Sequence, residues 1–444
     1  MTATATAAPG QRLKRTLKLR DLILYGVIVI QPVAPMSVFG VLSNKGHGHV
    51  VTTILIAMVA MLLTAVSYGR MARAYPSAGS AFTYVGQEIH PVMGYVTGWS
   101  MAMDYMLNPM ICIIWCSKAA QDLAPALPVW VFALFFFALF TGFNLRGVRT
   151  SARLNSGLAI FMGVVIAIFF VAAARYIGGQ PHDAGFFTRP FFDPSTFQMG
   201  AVLGGTSIAV LTYIGFDGIS TLSEEAENPR RNILLATVLS CLTIGILSAV
   251  QVYLAQLVWP AAQPFAPEIE ETAFIHVAGR AAGPWFFVVL NATLLVANIG
   301  SGMGAQLGAA RLLYGMGRSN ALPPKFFAAV NPKTHVPSNN VVFVGGIALV
   351  GALILLYRPG GGGYGLGAEL LNFGALIAFM GVNLAALMRY FVREADKKLI
   401  NLLEMTKQAH AASGGALSAL FMQNIVDAGV AQANKDLSNE LKFQ

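Results

Sequence analysis

Charge is what this chain has least of. Asp, Glu, Lys and Arg make up only 11% of its 444 residues, against 56% hydrophobic, where a soluble domain carries about 25% charged residues. Such a composition excludes a chain that covers itself with a solvated charged surface. Cysteine is scarce as well, with Cys112, Cys116 and Cys241 all lying inside apolar runs. Thiols there pack as small apolar groups, and there is no CxxC and no Cys/His cluster, so neither a disulfide framework nor a metal site is written into the sequence. The histidines fall mostly between the apolar runs (His47, His49, His90, His182, His276 and His335), where solvated surface is expected. Residues 1–20 are polar and basic and offer no cleavage site before the first apolar run ends, which argues against a cleavable signal peptide.

What the chain has in abundance is long apolar runs. Ten are visible, at roughly 22–42, 50–71, 92–117, 128–146, 155–177, 199–222, 233–258, 283–312, 339–357 and 367–391. Each is long enough to cross a hydrocarbon core of about 30 Å, which predicts an all-α integral membrane protein. Lys and Arg orient it. Arg12, Lys14, Arg15, Lys18, Arg20, Arg70, Arg73, Arg146, Arg149, Arg153, Arg230, Arg231, Arg311, Arg318, Lys325 and Lys333 lie on one set of loops. The alternate loops hold only Lys45, Lys118, Arg175, Arg189, Arg280 and Arg358. Sixteen against six places both termini in the cytoplasm. The net charge of +9 is therefore topological, and scattered over short loops it gives no reason to expect nucleic-acid binding.

Two of the spans are broken. Span one has Gln31, Pro32 and Pro35 at its centre, and two prolines three residues apart remove two amide donors, so the helix unwinds across Gln31, Pro32, Val33, Ala34 and Pro35. Span six is interrupted at Gly215, Phe216, Asp217 and Gly218, with a short helical turn expected over 219–223. A carboxylate at that depth costs about 3 kcal/mol unless it faces protein, water or a cation, and freed backbone groups are tolerated there only where they line a cavity. A kink capped by Asp217 is the blander reading. Breaks in corresponding positions, five spans apart, point instead to a carrier built from inverted repeats.

Other patterns dissolve in context. The 300–304 stretch, GSGMG, lies inside an apolar span, where close helix packing or local unwinding explains it better than a nucleotide loop. The 359–367 stretch, PGGGGYGLG, reads as a flexible linker.

Four stretches carry a family resemblance: ARAYPSAGSAFTYV after span two, GFDGISTLSEEAENPRRN at span six, ARLLYGMGRSNALPPKFFAAVNPKTHVP after span eight and LLNFGALIAFMGVNLAALMRY in span ten. The chain resembles the amino acid–polyamine–organocation superfamily, and within it the bacterial putrescine importers, over about residues 20–392. The resemblance implies a LeuT-like fold: a cytoplasmic tail (1–20), a transporter core (21–391) of two five-helix inverted repeats (21–180 and 195–391), and the solute held between the broken spans. It also implies a multi-pass protein of the bacterial cytoplasmic membrane, with no enzymatic activity and no cofactor. The family usually has two further helices. Residues 392–444 are polar here and read as a tail of unknown role, with helices eleven and twelve absent.

The resemblance assigns the solute site to Gln31, Pro32, Ala34, Pro35, Tyr213, Gly215, Phe216 and Asp217, joined by Asp104 and Tyr105 in span three. Amino-acid carriers of this kind usually bind the substrate carboxylate on free amides of a glycine-rich break in span one. This break offers fewer, from Met36, Ser37 and Val38. Two separated carboxylates with aromatic walls suit a solute with two ammonium ends, and Asp104 is the discriminating residue. It also has a structural alternative, as an acid bonded to a neighbouring helix or to Lys118. Glu224 and Glu225, with Glu227, are expected to cap the cytoplasmic end with Arg230, Arg231 or Arg153. Span five lacks the lysine with which some relatives replace a sodium ion, while Asn298 and Ser301 offer a polar position in span eight. Coupling to protons or Na+ stays open, as does monomer against homodimer. The partners expected are a small amine or amino acid and the lipid bilayer. A proton-coupled amino-acid permease is the alternative of the same class. An intramembrane aspartyl protease is the rival from another class, but three spans separate Asp104 from Asp217, and the flanking residues do not match that pattern.

Overall fold

A computed structural model describes residues 17–75, 80–146, 152–223, 226–260, 263–318, 322–332, 334 and 336–393. Glu224, Glu225 and the tail from residue 394 lie outside the described residues. The described chain is helical, with one isolated backbone bridge between Leu17 and Ala226. Its helices are α1 (Leu19–Ile30), α2 (Ala34–Lys45), α3 (Val50–Ala74), α4 (Ser80–Glu88), α5 (Pro91–Leu123), α6 (Val129–Leu145), α7 (Ala152–Gly178), α8 (Met199–Ala209), α9 (Pro229–Val258), α10 (Ala273–Ala282), α11 (Pro284–Arg318), α12 (Pro324–Phe327), α13 (Ser338–Leu356) and α14 (Gly363–Leu387).

All ten expected apolar runs fall on helices. Span one is the bent pair α1–α2, span six is α8 with the turns that follow it, and α3, α5, α6, α7, α9, α11, α13 and α14 supply the rest. Among the described residues six helices are individually long and apolar enough to cross a bilayer, and α1–α2, bent by 45°, makes a seventh. The short connecting helices α4, α10 and α12 were not legible as elements. Prolines open α5, α9 and α11, because the first helical residue has no use for its amide hydrogen. Large apolar side chains face outward, with Ile160 70% and Ile354 66% exposed; in water such a surface would be an association hazard, whereas lipid accepts it.

Two expectations about breaks and linkers shift. The glycine run before span ten is not all linker: Gly360, Gly361 and Gly362 take positive φ, but α14 starts at Gly363 and buries Tyr364. The 300–304 stretch does not unwind, because α11 runs through it. Gly302 serves close packing, since a Cβ there would sit 2.4 Å from the Phe140 ring.

α5 lies at the centre, packed against α11, α13 and α14, while α3 and α9 pack along each other on the far side of the broken spans. At the end of the bundle that holds the N-terminus, the fully buried Glu88 of α4 accepts from the Tyr75 hydroxyl at 2.6 Å and from Arg393 at 2.8 Å, and pairs with Arg389. Burial alone would push this carboxyl up, but the Tyr75 hydroxyl and the two guanidinium groups together outweigh it and hold it below the usual carboxylate range.

Candidate functional site

The first break is shorter than the proline spacing implies. α1 closes when the Gln31 amide donates to the Val27 carbonyl at 3.1 Å, and Gln31 itself takes a φ of 68°. α2 then resumes at Ala34, with Pro35 in its first turn, where a missing amide costs nothing. Ala34 and Pro35 are therefore helix, not break. Long polar side chains satisfy the unwound backbone: Gln251 of α9 donates to the Pro32 carbonyl at 2.9 Å, and Gln31 donates from its own Nε2 to Ala297 of α11 at 2.9 Å.

The second break is centred earlier than expected. α8 ends at Ala209 and continues as a tight turn, Val210–Thr212; Tyr213, Ile214 and Gly215 form the interruption, and Phe216–Leu222 wind as a 3₁₀ helix. Phe216, Asp217 and Gly218 thus belong to the resumed helix. Gly215 is required here, because its φ is 116° and a Cβ would meet Val29 Cγ1 at 3.1 Å. That contact also sets the two broken spans against each other. The Asp217 carboxylate lies against the backbone amides of Gly215, Asp217 and Gly218, while the Gly218 amide itself donates to the Gly215 carbonyl at 3.1 Å.

Between the breaks lies a cavity of about 460 Å³, within the size range of small-molecule sites. Gln31, Pro32, Asp104, Tyr105, Gly215 and Asp217 line it, as does Ser301. The structure therefore brings together carboxylates that lie far apart in sequence. Asp217 is 4% and Asp104 8% exposed, and both line the same cavity. They differ in one respect that matters. Asp217 lies against the backbone amides of its own break, whereas the Asp104 carboxylate has no hydrogen-bond partner among the described residues. Lys118 is not its partner; that lysine lies 3.8 Å from Glu271.

Several expected site residues lie elsewhere. Tyr213 is buried outside the cavity and donates from its hydroxyl to the Ile54 carbonyl at 2.9 Å. Phe216 packs edge-on against Tyr68 and tilted against Phe379. Both serve the core behind the break, because the turn at Gly215 points them away from the solute. Asn298 does not line the cavity but donates to the Ser37 hydroxyl at 3.1 Å and the Leu294 carbonyl at 2.9 Å. Arg230 and Arg231 are exposed in the first turn of α9 and form no ion pair with a described residue; Glu224 and Glu225 fall outside the description. His49 departs from the solvated expectation, being fully buried and accepting from the Asp193 amide at 3.2 Å.

Sequence reasoning missed other lining residues, among them Tyr25, Asn108, Gly300, Gly304 and Met162. Asn108 was within reach, one helical turn from Asp104. Gly300 and Gly304 are also four residues apart and so share a face; both open into free space, which only the neighbouring helices decide.

The cavity is eccentric. On α1 its lining residues all precede the break, and on α7 they fall at 158–162, near the start of that helix. It therefore extends toward the end of the bundle that holds the N-terminus. The opposite end is closed. Phe39 of α2 sits edge-on between Phe265 and Phe274, and Asn44 donates to the Phe265 carbonyl at 2.8 Å and to Glu270 at 3.0 Å. Burial pushes the carboxyls of Glu270 and Glu271 up in this plug; the Asn44 hydrogen bond for the first, and Lys118 for the second, offset it only in part.

A helix-only membrane bundle, two touching breaks and an acid-lined cavity between them describe a carrier, and comparison with known proteins agrees. The amino acid permease family matches residues 22–438. The chain belongs to the amino acid permease family. It is a transporter of the amino acid–polyamine–organocation superfamily, not an enzyme. The family match runs on through most of the polar tail that had been read as lying outside the core. The transporter is 35% identical over 391 residues to the low-affinity putrescine importer PlaP of Escherichia coli K12, covering 87% of this chain and 84% of that one. It is 25% identical over 403 residues to the branched-chain amino acid permease BcaP of Bacillus subtilis, covering 86% and 82%. It is also 25% identical over 420 residues to the mitochondrial cationic amino acid transporter 3 of Arabidopsis thaliana, covering 90% and 66%.

Proposed function

We propose that this transporter imports a small organic cation, putrescine or a related diamine, across the bacterial cytoplasmic membrane by alternating access between its two repeats. One observation carries the reading: Asp104 presents a buried carboxylate to the cavity with no partner among the described residues. A carboxylate left unpaired at that depth is stable only if water or a cation meets it, and an ammonium group would do so by a charge-assisted hydrogen bond. The amides that would instead receive an amino-acid carboxylate are committed. Those of Gly215, Asp217 and Gly218 face the Asp217 side chain, and the Gly218 amide donates to the Gly215 carbonyl at 3.1 Å. In the first break the Ala34 and Met36 amides donate to Gln31 and Val33 carbonyls, and neither Ser37 nor Val38 lines the cavity. Identity to a putrescine importer supports the same choice.

The excess of Lys and Arg on the loops at the N-terminal end puts that end in the cytoplasm. The cavity then faces inward, and the Phe39 and Asn44 plug is its outer seal. Each positive charge moving inward gains about 2.3 kcal/mol per 100 mV. A dication gains roughly 4.6 kcal/mol, equivalent to about a thousandfold accumulation without any coupled ion. Proton symport through Asp217 is the alternative source of energy.

An amino-acid permease is the second reading, favoured by the resemblance to BcaP and to the plant cationic amino acid transporters. One experiment separates them. Labelled putrescine uptake is measured in proteoliposomes under an inside-negative potential, with unlabelled amino acids or unlabelled diamines in excess. Uptake driven by the potential and blocked by diamines alone supports the diamine reading. Uptake of neutral amino acids without putrescine uptake overturns it.

A further inference from the structure

A second cavity lies away from the transport path, on the outer surface of the bundle. Val164, Ile168, Val171 and Arg175 line it along one face of α7, at the spacing of successive helical turns. Small side chains keep it open: Ala167 and Ala172 on α7, and Ala281 and Ala282 at the end of α10. Trp285, at the start of α11, stands at its mouth. The turn at Gly283, with φ 91°, brings α10 and α11 into this corner. The volume is about 580 Å³, and the walls are apolar apart from Arg175.

We infer that this groove binds a membrane phospholipid with an anionic headgroup, one acyl chain lying along α7 and the phosphate on Arg175. Three features select that occupant. The first is length: eleven residues separate Val164 from Arg175, roughly 16 Å at 1.5 Å per residue, which matches one leaflet, about half of a 30 Å hydrocarbon core. A partner's membrane-crossing helix would need both leaflets. The second is charge. Lys45, Lys118, Arg189 and Arg280 at this end of the bundle all have partners: Glu369, Glu271, Asp183, and the Tyr176 hydroxyl with Gln263. Arg175 is exposed and has none among the described residues; Arg358, likewise exposed and without a side-chain partner among them, does not line the groove. The third is depth: Arg175 and Trp285 both line the groove at the end of the apolar stretch, the level at which tryptophan and arginine settle against headgroups. The helix dipole also favours a cation in the last turn of α7, but it does not account for an apolar groove leading to that cation.

The site does not depend on which solute is carried. α7 does line the transport cavity with Met162, so a lipid held along its far end bears on a helix that faces the solute.

The test is native mass spectrometry of the full-length transporter in detergent, with phosphatidylglycerol or phosphatidylcholine of identical chains added. The wild type should retain one phosphatidylglycerol at least tenfold more strongly than phosphatidylcholine. Arg175→Gln should remove that preference, Ala172→Trp should remove binding of both, and Arg358→Gln, at another exposed arginine near the same end, should change nothing. Phosphatidylglycerol brominated on its acyl chain should also quench wild-type fluorescence, and Trp285→Phe should abolish that component. Equal retention of the two lipids by the wild type, or an unchanged preference in Arg175→Gln, would make the groove ordinary lipid-facing surface and overturn the inference. Should Arg175→Gln fail to fold, the wild-type lipid preference and the Trp285 quenching decide alone.

Discussion

Asp104→Asn isolates the charge of a cavity carboxylate that no described residue pairs with. The side chain keeps its shape, so no void opens in a site where the residue is only 8% exposed. No protein donor is stranded, because Asp104 has no hydrogen-bond partner among the described residues. The loss therefore falls on the solute. A hydrogen bond to a charged group contributes about 1.5–3 kcal/mol; at 1.4 kcal/mol per tenfold, the half-saturation concentration for putrescine should rise roughly ten- to hundredfold. The folded protein should not weaken, since a buried amide costs less to desolvate than a buried carboxylate. Asp217→Asn should behave differently, because its carboxylate lies against the backbone amides of the break, and replacing it should destabilise by about 1 kcal/mol in addition to impairing uptake. The assay pairs initial uptake rates in proteoliposomes with the thermal midpoint in detergent for both variants. Half-saturation within threefold of wild type for Asp104→Asn would refute the reasoning, as would a drop in its midpoint equal to that of Asp217→Asn, since either outcome makes Asp104 structural.

Three further expectations follow from the same geometry. Gly215→Ala forces a Cβ into a left-handed backbone against Val29; it should cost about 1–2 kcal/mol, lower the thermal midpoint, and slow uptake by misplacing Asp217. Glu88→Gln breaks the buried partner of Arg389 and Arg393. Those arginine side chains are 30% and 48% exposed, so the loss should be about 1–3 kcal/mol, below the 3–5 of a fully buried pair. Because the Glu88 carboxyl is held low in the fold, that contribution is fully present above the ordinary carboxylate range and is lost as pH falls through the lowered value. The difference between wild type and variant in a thermal-shift series should therefore narrow on acidification, and a constant gap would contradict the ion-pair account. Glu270→Gln should do the opposite. Burial holds that carboxyl high, so the fold binds its proton more tightly than the unfolded chain does, and stability falls as pH rises through the raised value. The glutamine keeps the acceptor for Asn44, so the variant should melt higher than wild type at neutral pH and match it in acid; a lower midpoint at neutral pH would show that the charge helps the plug.

The ten spans were legible because runs of about 20 apolar residues leave the backbone no alternative to a helix in lipid. The breaks were legible because proline and glycine act locally. Their limits were not. Pro35 lost its effect once it fell in the first turn of α2, and Phe216–Gly218 wound into a 3₁₀ helix. α4, α10 and α12 are short connecting helices, and no long apolar run announced them. The aromatic wall was misread for the same reason. Tyr213 and Phe216 flank the break in sequence, but the left-handed turn at Gly215 sends both into the core, and the tyrosines that line the cavity are Tyr25 and Tyr105.

Composition and spacing by themselves thus determined a helical membrane bundle, its two broken spans and the acid Asp217, since each follows from what a single segment must do in lipid, whereas Asp104 was marked by the family resemblance. Which acid is free was decided only by the tertiary structure. The backbone amides that face Asp217 lie beside it in sequence, while the absence of a partner for Asp104 among the described residues depends on α1, α7 and α11 leaving a gap between them. The same holds for the closed outer end, where Asn44, Phe265 and Glu270 meet across more than two hundred residues. Local signals report what a segment can tolerate; a cavity is what several segments fail to fill, and no one of them records it.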